Sequence, residues 1–111
     1  MFSRVQLVVL FTLFFMALFV WYGIFVTHLH SLRVYVLNVG QGDAIFIETP
    51  SGNQVLIDGG SGFQVLSELG KVMPVYDKSI DMIIVTHADI DHIGGLVEVL
   101  KRYRVGHVVE N

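Results

Sequence analysis

The chain contains no cysteine, so it forms no disulfide and offers no thiolate, and any metal ion it binds must be held by nitrogen and oxygen donors. Proline occurs only twice, and internal repeats and low-complexity tracts are missing, which excludes repeat arrays and proline-rich disordered segments. An excess of positive charge is missing as well. After residue 26 the chain carries six basic against ten acidic residues, a net charge of −4. Nonspecific nucleic-acid surfaces are basic because phosphate neutralisation supplies most of their affinity, so a polynucleotide would have to be bound here through a metal or through further protein.

The scarcity of charge has a local origin. Residues 5–26, VQLVVLFTLFFMALFVWYGIFV, hold no Asp, Glu, Lys, Arg or His, and their only clearly polar side chains are Gln6 and Thr12. At about 1.5 Å per residue such a helix is roughly 33 Å long, enough to cross a hydrocarbon layer of about 30 Å. A buried core helix would keep a polar face, and this run has none. A cleaved signal peptide would have a shorter apolar region followed by small residues at a cleavage site, which residues 27–32 do not offer. Trp21 and Tyr22 suit the interfacial aromatic belt. Arg4 and the terminal amine precede the run and Arg33 alone closely follows it, which predicts an inside amino terminus with the remainder extracytoplasmic. The expected organisation is a short flank (1–4), one transmembrane helix (5–26), a juxtamembrane linker (27–32) and an α/β domain (33–111). His28 and His30 lie in the linker; two ligands there make a poor metal site, and neither enters the expected centre.

Beyond the linker, LRVYVLNV (32–39) and AIFIET (44–49) are β-branched and aromatic runs separated by the turn residues Gly40, Gln41, Gly42 and Asp43. A third run, QVLID, ends at Asp58 and enters Gly59, Gly60, Ser61 and Gly62. Residues 63–72 show helical spacing in Phe63, Leu66 and Leu69 until Pro74 interrupts it. A buried strand is expected over 79–86, a helix over 95–103 with Leu96, Val97, Val99 and Leu100 on its apolar side, and a last strand from Arg104 onward. A meander followed by alternating strands and helices predicts a layered α/β domain with its loops gathered at one sheet edge.

The stretch 85–96, VTHADIDHIGGL, sets His87, Asp89, Asp91 and His92 within six positions of a strand end. One aspartate there would read as a helix cap, but capping needs one carboxylate and gives no role to two histidines. Four imidazole and carboxylate donors at this density point to a divalent cation such as zinc. The spacing predicts an irregular loop through His92, with Gly94 and Gly95 turning the backbone before a helix begins.

These residues resemble a known family. THADIDHIGG is similar to the H-x-H-x-D-H signature of the metallo-β-lactamase fold, and VGQGDAIFI followed by VLIDGG resembles the opening of the branch found in ComEC-type DNA-uptake competence proteins. Asp89 stands where the wider superfamily has its second histidine, a replacement associated with the ComEC-like branch. The resemblance covers nearly all of 33–111 and implies the first half of an αββα sandwich. It further implies His87 and Asp89 on one metal, Asp91 and His92 on a second, and Asp58 beneath the site as an orienting residue. Two zinc ions, or manganese, would serve hydrolysis of nucleic-acid phosphodiesters, with Asp91 as proton acceptor. The partners so implied are a membrane, DNA, other uptake proteins and a C-terminal half with the distal ligands, none of which His107 matches. A half domain is expected to leave one apolar sheet face uncovered. Two other readings remain open from the sequence: a non-catalytic, membrane-tethered module, and a hydrolase of another ester, thioester or lactam.

Overall fold

A computed structural model describes residues 1–26 and 31–111 in full and the backbone of 27–29. It divides into two units, Met1–Ser31 and Leu32–Asn111. The first is a single helix, α1 (Arg4–Leu29). Its start is closed by a reciprocal cap: the Ser3 backbone N–H donates to the Gln6 side-chain oxygen at 2.9 Å and the Gln6 N–H donates to Ser3 Oγ at 3.3 Å. Thr12 donates its hydroxyl to the Val8 carbonyl at 2.8 Å, so both polar side chains of the apolar run are satisfied within the helix or its cap. The segment Arg4–Val26 has a mean hydropathy of 2.4, is long and apolar enough to cross a membrane, and has none of its length buried. His30 and the side chain of His28 lie outside the described residues.

In the second unit β1 (Arg33–Val36), β2 (Ile45–Glu48) and β3 (Gln54–Ile57) form the expected antiparallel meander. The chain then passes through α2 (Gln64–Val72) to β4 (Ser79–Val85), and through α3 (Ile90–Arg102) to β5 (Arg104–Glu110). Both of these pairings, β3 with β4 and β4 with β5, are parallel, giving one five-stranded sheet in the order β1-β2-β3-β4-β5. The helix α2 stops where Met73 turns extended (φ −102°, ψ 145°), the conformation a residue before proline prefers.

Strand register separates the two faces. Tyr35, Phe46, Leu56, Ile83 and Val108 stand in one row across the five strands. On this face Phe46, Leu56 and Ile83 join Val65 and Leu69 of α2 and Leu96 and Val99 of α3 in the core. The two helices pack beside each other, so both cover the same side of the sheet. The opposite face carries the rows Val34, Ile47, Val55, Met82, His107 and Val36, Ile45, Ile57, Ile84, Val109. Nine of these ten residues are apolar and none is buried; Val36 is 82% exposed. This is one helix-covered sheet with a bare apolar face, the half-sandwich expected from the sequence.

Two boundaries differ from expectation: α1 runs on to Leu29, into the stretch 27–32 expected as a linker, and α3 begins earlier than expected. The helix α3 starts at Ile90, with Asp89 as its extended N-cap residue (φ −73°, ψ 148°) and the N–H groups of His92 and Ile93 donating to the Asp89 carbonyl at 2.9 and 3.1 Å. Asp91 and His92 are therefore on the first helical turn, and Gly94 and Gly95 lie inside the helix. The glycines do not make a turn. They let α3 press against the loop after β3: a Cβ on Gly95 would sit 1.9 Å from the Gly59 carbonyl oxygen, and one on Gly94 2.5 Å from that of Ser61. Gly70 in α2 has open space around it. Gly95→Ala is expected to destabilise the chain by about 1–3 kcal/mol or more through overpacking, whereas Gly70→Ala stabilises it by about 0.5–1 kcal/mol through helix propensity. Denaturant unfolding of both variants checks the pair, and equal effects would refute the packing assignment.

Candidate metal centre

Three segments meet at the carboxyl ends of β3 and β4. They are the turn 40–43, the loop 58–62 and the connection 86–89 that leads into α3. Backbone hydrogen bonds tie them together: Gly60 N–H donates to Asp43 O at 3.0 Å, Gly59 N–H to His92 O at 2.8 Å, and Gly95 N–H to Gly60 O at 2.9 Å. Gly42 has φ +88°, and a Cβ on it would lie 1.8 Å from the Asp91 carbonyl oxygen. The GQGD turn thus rests directly on the backbone of the donor-bearing segment, at a distance that only glycine allows.

Asp58 occupies the centre of this arrangement. It is 3% exposed and adopts φ 57°, the left-handed region that side chains other than glycine seldom enter. Its N–H donates to Ile84 O at 2.9 Å, continuing the β3-β4 ladder by one bond. Its carboxylate accepts from the Thr86 N–H at 2.9 Å, from the Thr86 hydroxyl, and from His92 Nδ1 at 3.0 Å. Burial acts to raise the Asp58 pKa, but the hydrogen bonds from Thr86 and His92 outweigh it and hold the carboxyl below its ordinary value.

Of the expected donors, the two histidines are the ones brought close to this anchor. The imidazoles of His87 and His92 have ring centroids 5.0 Å apart. His87 Nδ1 lies 3.0 Å from Thr86 Oγ1. Asp89 makes no side-chain cap bond, so the cap that a lone aspartate would explain is not formed, and its exposed carboxylate is uncommitted. Asp91, on the first turn of α3, is placed where the helix dipole favours a negative charge. Among the described residues no three His, Asp or Glu side chains are gathered closely enough to enclose an ion. The structure therefore brings the two imidazoles together and ties one to Asp58, while Asp89 and Asp91 flank them on the same short segment. His107 stands apart on the bare face of β5, paired in register with Met82. An open groove at His87 is lined on its polar side by Thr86, His87, Glu110 and Asn111. Thr86 is the site residue that sequence reasoning misses, and Glu110 lines the groove without having been singled out. A hydroxyl one position before a candidate ligand at a strand end was the available signal for Thr86, whereas Glu110 reaches the groove only through the β4-β5 register.

A family model, the metallo-beta-lactamase superfamily, matches residues 37–111. The chain belongs to the metallo-beta-lactamase superfamily. Solved structures agree on the fold. A metallo-beta-lactamase with a HARLDQ motif from Cronobacter sakazakii (Enterobacter sakazakii) is 24% identical with a TM-score of 0.52, over 65% of this chain and 29% of that one. The Rm3 metallo-beta-lactamase is 26% identical with a TM-score of 0.50, over 63% of this chain and 26% of that one. This chain thus spans less than a third of the length of either structure. The curated proteins include no match.

Members of the superfamily typically bind metal ions, usually zinc. The donor types of this superfamily member fit such an ion in kind: two imidazoles and two carboxylates without thiolate suit zinc, and the carboxylates also suit manganese. An imidazole whose Nδ1 is held by a buried carboxylate, as in His92, is the usual setting of a zinc-ligating histidine.

The depressed Asp58 pKa has a signed consequence for stability. Its contribution is fully present above the ordinary carboxylate value and is lost as pH falls through the lower value of the folded state. Asp58→Asn is expected to flatten this acid limb and to lower stability at neutral pH by about 1–3 kcal/mol, because the Thr86 and His92 donors lose a charged acceptor. Chemical denaturation across the acid range tests both effects, and an unchanged limb would contradict the assignment.

Proposed function

We propose that this chain provides the metal-binding half of a ComEC-like hydrolase that cleaves nucleic-acid phosphodiesters during DNA uptake. In this reading α1 anchors it in a membrane, the α/β unit is extracytoplasmic, and a C-terminal half supplies the remaining ligands. The observation that carries the metal reading is the imidazole pair of His87 and His92 braced from beneath by Asp58, with Asp89 and Asp91 beside it. The ComEC-like assignment draws on the GQGD turn, the VLIDGG strand end and Asp89 in place of a histidine.

His87 and Asp89 would hold one ion, and Asp91 and His92 a second. Zinc or manganese bound there supplies Lewis acidity that activates water at neutral pH and polarises a phosphoryl oxygen. The protein's own contributions are distinct. Asp58 fixes the ring of His92, the GQGD turn supports the backbone of Asp91, and Asp91 accepts a proton from the attacking water. With a net charge of −4 after residue 26, attraction of a phosphodiester falls to the metal or to the C-terminal half and not to the surface of this unit.

A second reading, a membrane-tethered module without catalysis, draws on one observation: no three donors enclose an ion among the described residues. Metal analysis of the full chain, with and without its continuation, separates the two. The hydrolase reading predicts bound zinc or manganese and cleavage of single- or double-stranded DNA that a chelator abolishes. Asp91→Asn is expected to reduce that cleavage by about 10²-fold or more, the scale of a lost general base. Full metal-dependent turnover in the variant would remove the proton-accepting role, and cleavage of thioesters or lactams in place of DNA would move the substrate class.

A further inference from the structure

Thr86 lies between the buried carboxylate and the first imidazole, and the count of protons on these groups fixes the direction of each hydrogen bond. A carboxylate can only accept, and a threonine hydroxyl has a single proton to give. The Thr86 hydroxyl and backbone N–H both point at Asp58, so the one hydroxyl proton is spent on the carboxylate. Thr86 Oγ1 then has only lone pairs for His87 Nδ1, which lies 3.0 Å away. That contact is a hydrogen bond only if His87 carries its proton on Nδ1. The same counting applies directly to His92, whose Nδ1 must donate to Asp58 across 3.0 Å.

We infer that Thr86 is a positioning residue that extends the hold of Asp58 to both imidazoles, locking His87 and His92 into the Nδ1–H tautomer with each Nε2 lone pair free. The tautomer of a ligating histidine is set by the hydrogen bond its other nitrogen makes, and here one carboxylate sets two of them, once directly and once through a hydroxyl. The inference deepens the metal-binding reading and rests on it for its purpose, although the tautomers themselves are a property of the metal-free chain. Thr86→Val keeps the shape of the side chain and removes the relay; Thr86→Ser keeps the relay and trims a methyl group.

The test is long-range ¹⁵N–¹H NMR of the full chain, ¹⁵N-labelled at histidine, without metal and at a pH where the imidazoles are neutral. The expected wild-type pattern is Nδ1–H at both His87 and His92. In Thr86→Val, His87 alone is expected to shift towards Nε2–H, the form free imidazole side chains favour, while His92 keeps its tautomer; Thr86→Ser restores His87. Zinc affinity, measured by competition with a chromophoric chelator, is expected to fall about 10–100-fold in Thr86→Val and to recover in Thr86→Ser. Nε2–H at His87 in the wild type overturns the inference whether or not the valine variant folds, and so does a His87 spectrum that Thr86→Val leaves unchanged. A wild type with both tautomers as expected that binds no zinc, alone or together with the C-terminal half, supports the relay and removes the hydrolase reading, so the two failures are distinguishable.

Discussion

The Asp58 carboxylate is the interaction on which the rest of this unit depends. Burying a charge is costly unless it is hydrogen-bonded, and here every approach to the carboxylate is a donor: the Thr86 amide and hydroxyl from the end of β4 and the His92 ring from the first turn of α3. One side chain therefore fastens the end of β3 to the end of β4 and to the start of α3. The left-handed backbone at Asp58 costs about 1–2 kcal/mol. It persists because the surrounding bonds over-determine it, a pattern associated with functional positions.

Around that anchor the approach of the loops is set by the absence of side chains. Gly42 against Asp91, Gly94 against Ser61 and Gly95 against Gly59 are backbone-to-backbone contacts that a methyl group would block. They explain why α3 can begin directly under the donor segment, so that Asp91 and His92 are held by a helix and not by a free loop. The interlock lies at one end of the sheet, while the face away from the helices is apolar across all five strands and uncovered. That bare face and the span of less than a third of the matched metallo-beta-lactamases accord with one layer pair of a larger sandwich.

Much of this was legible in the amino-acid order because the signals were local. Period-two runs in β1 to β3, the helical spacing before Pro74 and the apolar run of β4 each state their element without reference to the rest of the chain. The candidate donors at 87–92 stood out for the same reason, although among the described residues no three of them enclose an ion. The start of α3 was not legible: two glycines in succession read as a break, and their real function is visible only once the loop of 59–62 is packed across them. Thr86 was missed because a hydroxyl reveals its role through what it bonds, and its partner is 28 residues earlier in the chain. Glu110 comes to the groove through strand register alone. The role of Asp58 as an orienting residue follows from the family resemblance, whereas its left-handed backbone and its hold on β4 are features of the folded chain.

The central claim is that the segment from Thr86 to His92 grips a divalent ion through imidazole and carboxylate without sulfur. Zinc-edge X-ray absorption on the zinc-loaded full chain tests it most directly. The account predicts a first shell of nitrogen and oxygen only, with outer-shell scattering from imidazole that weakens in His87→Ala and again in His87→Ala/His92→Ala. A zinc shell without imidazole scattering, or one that both substitutions leave unchanged, would contradict it.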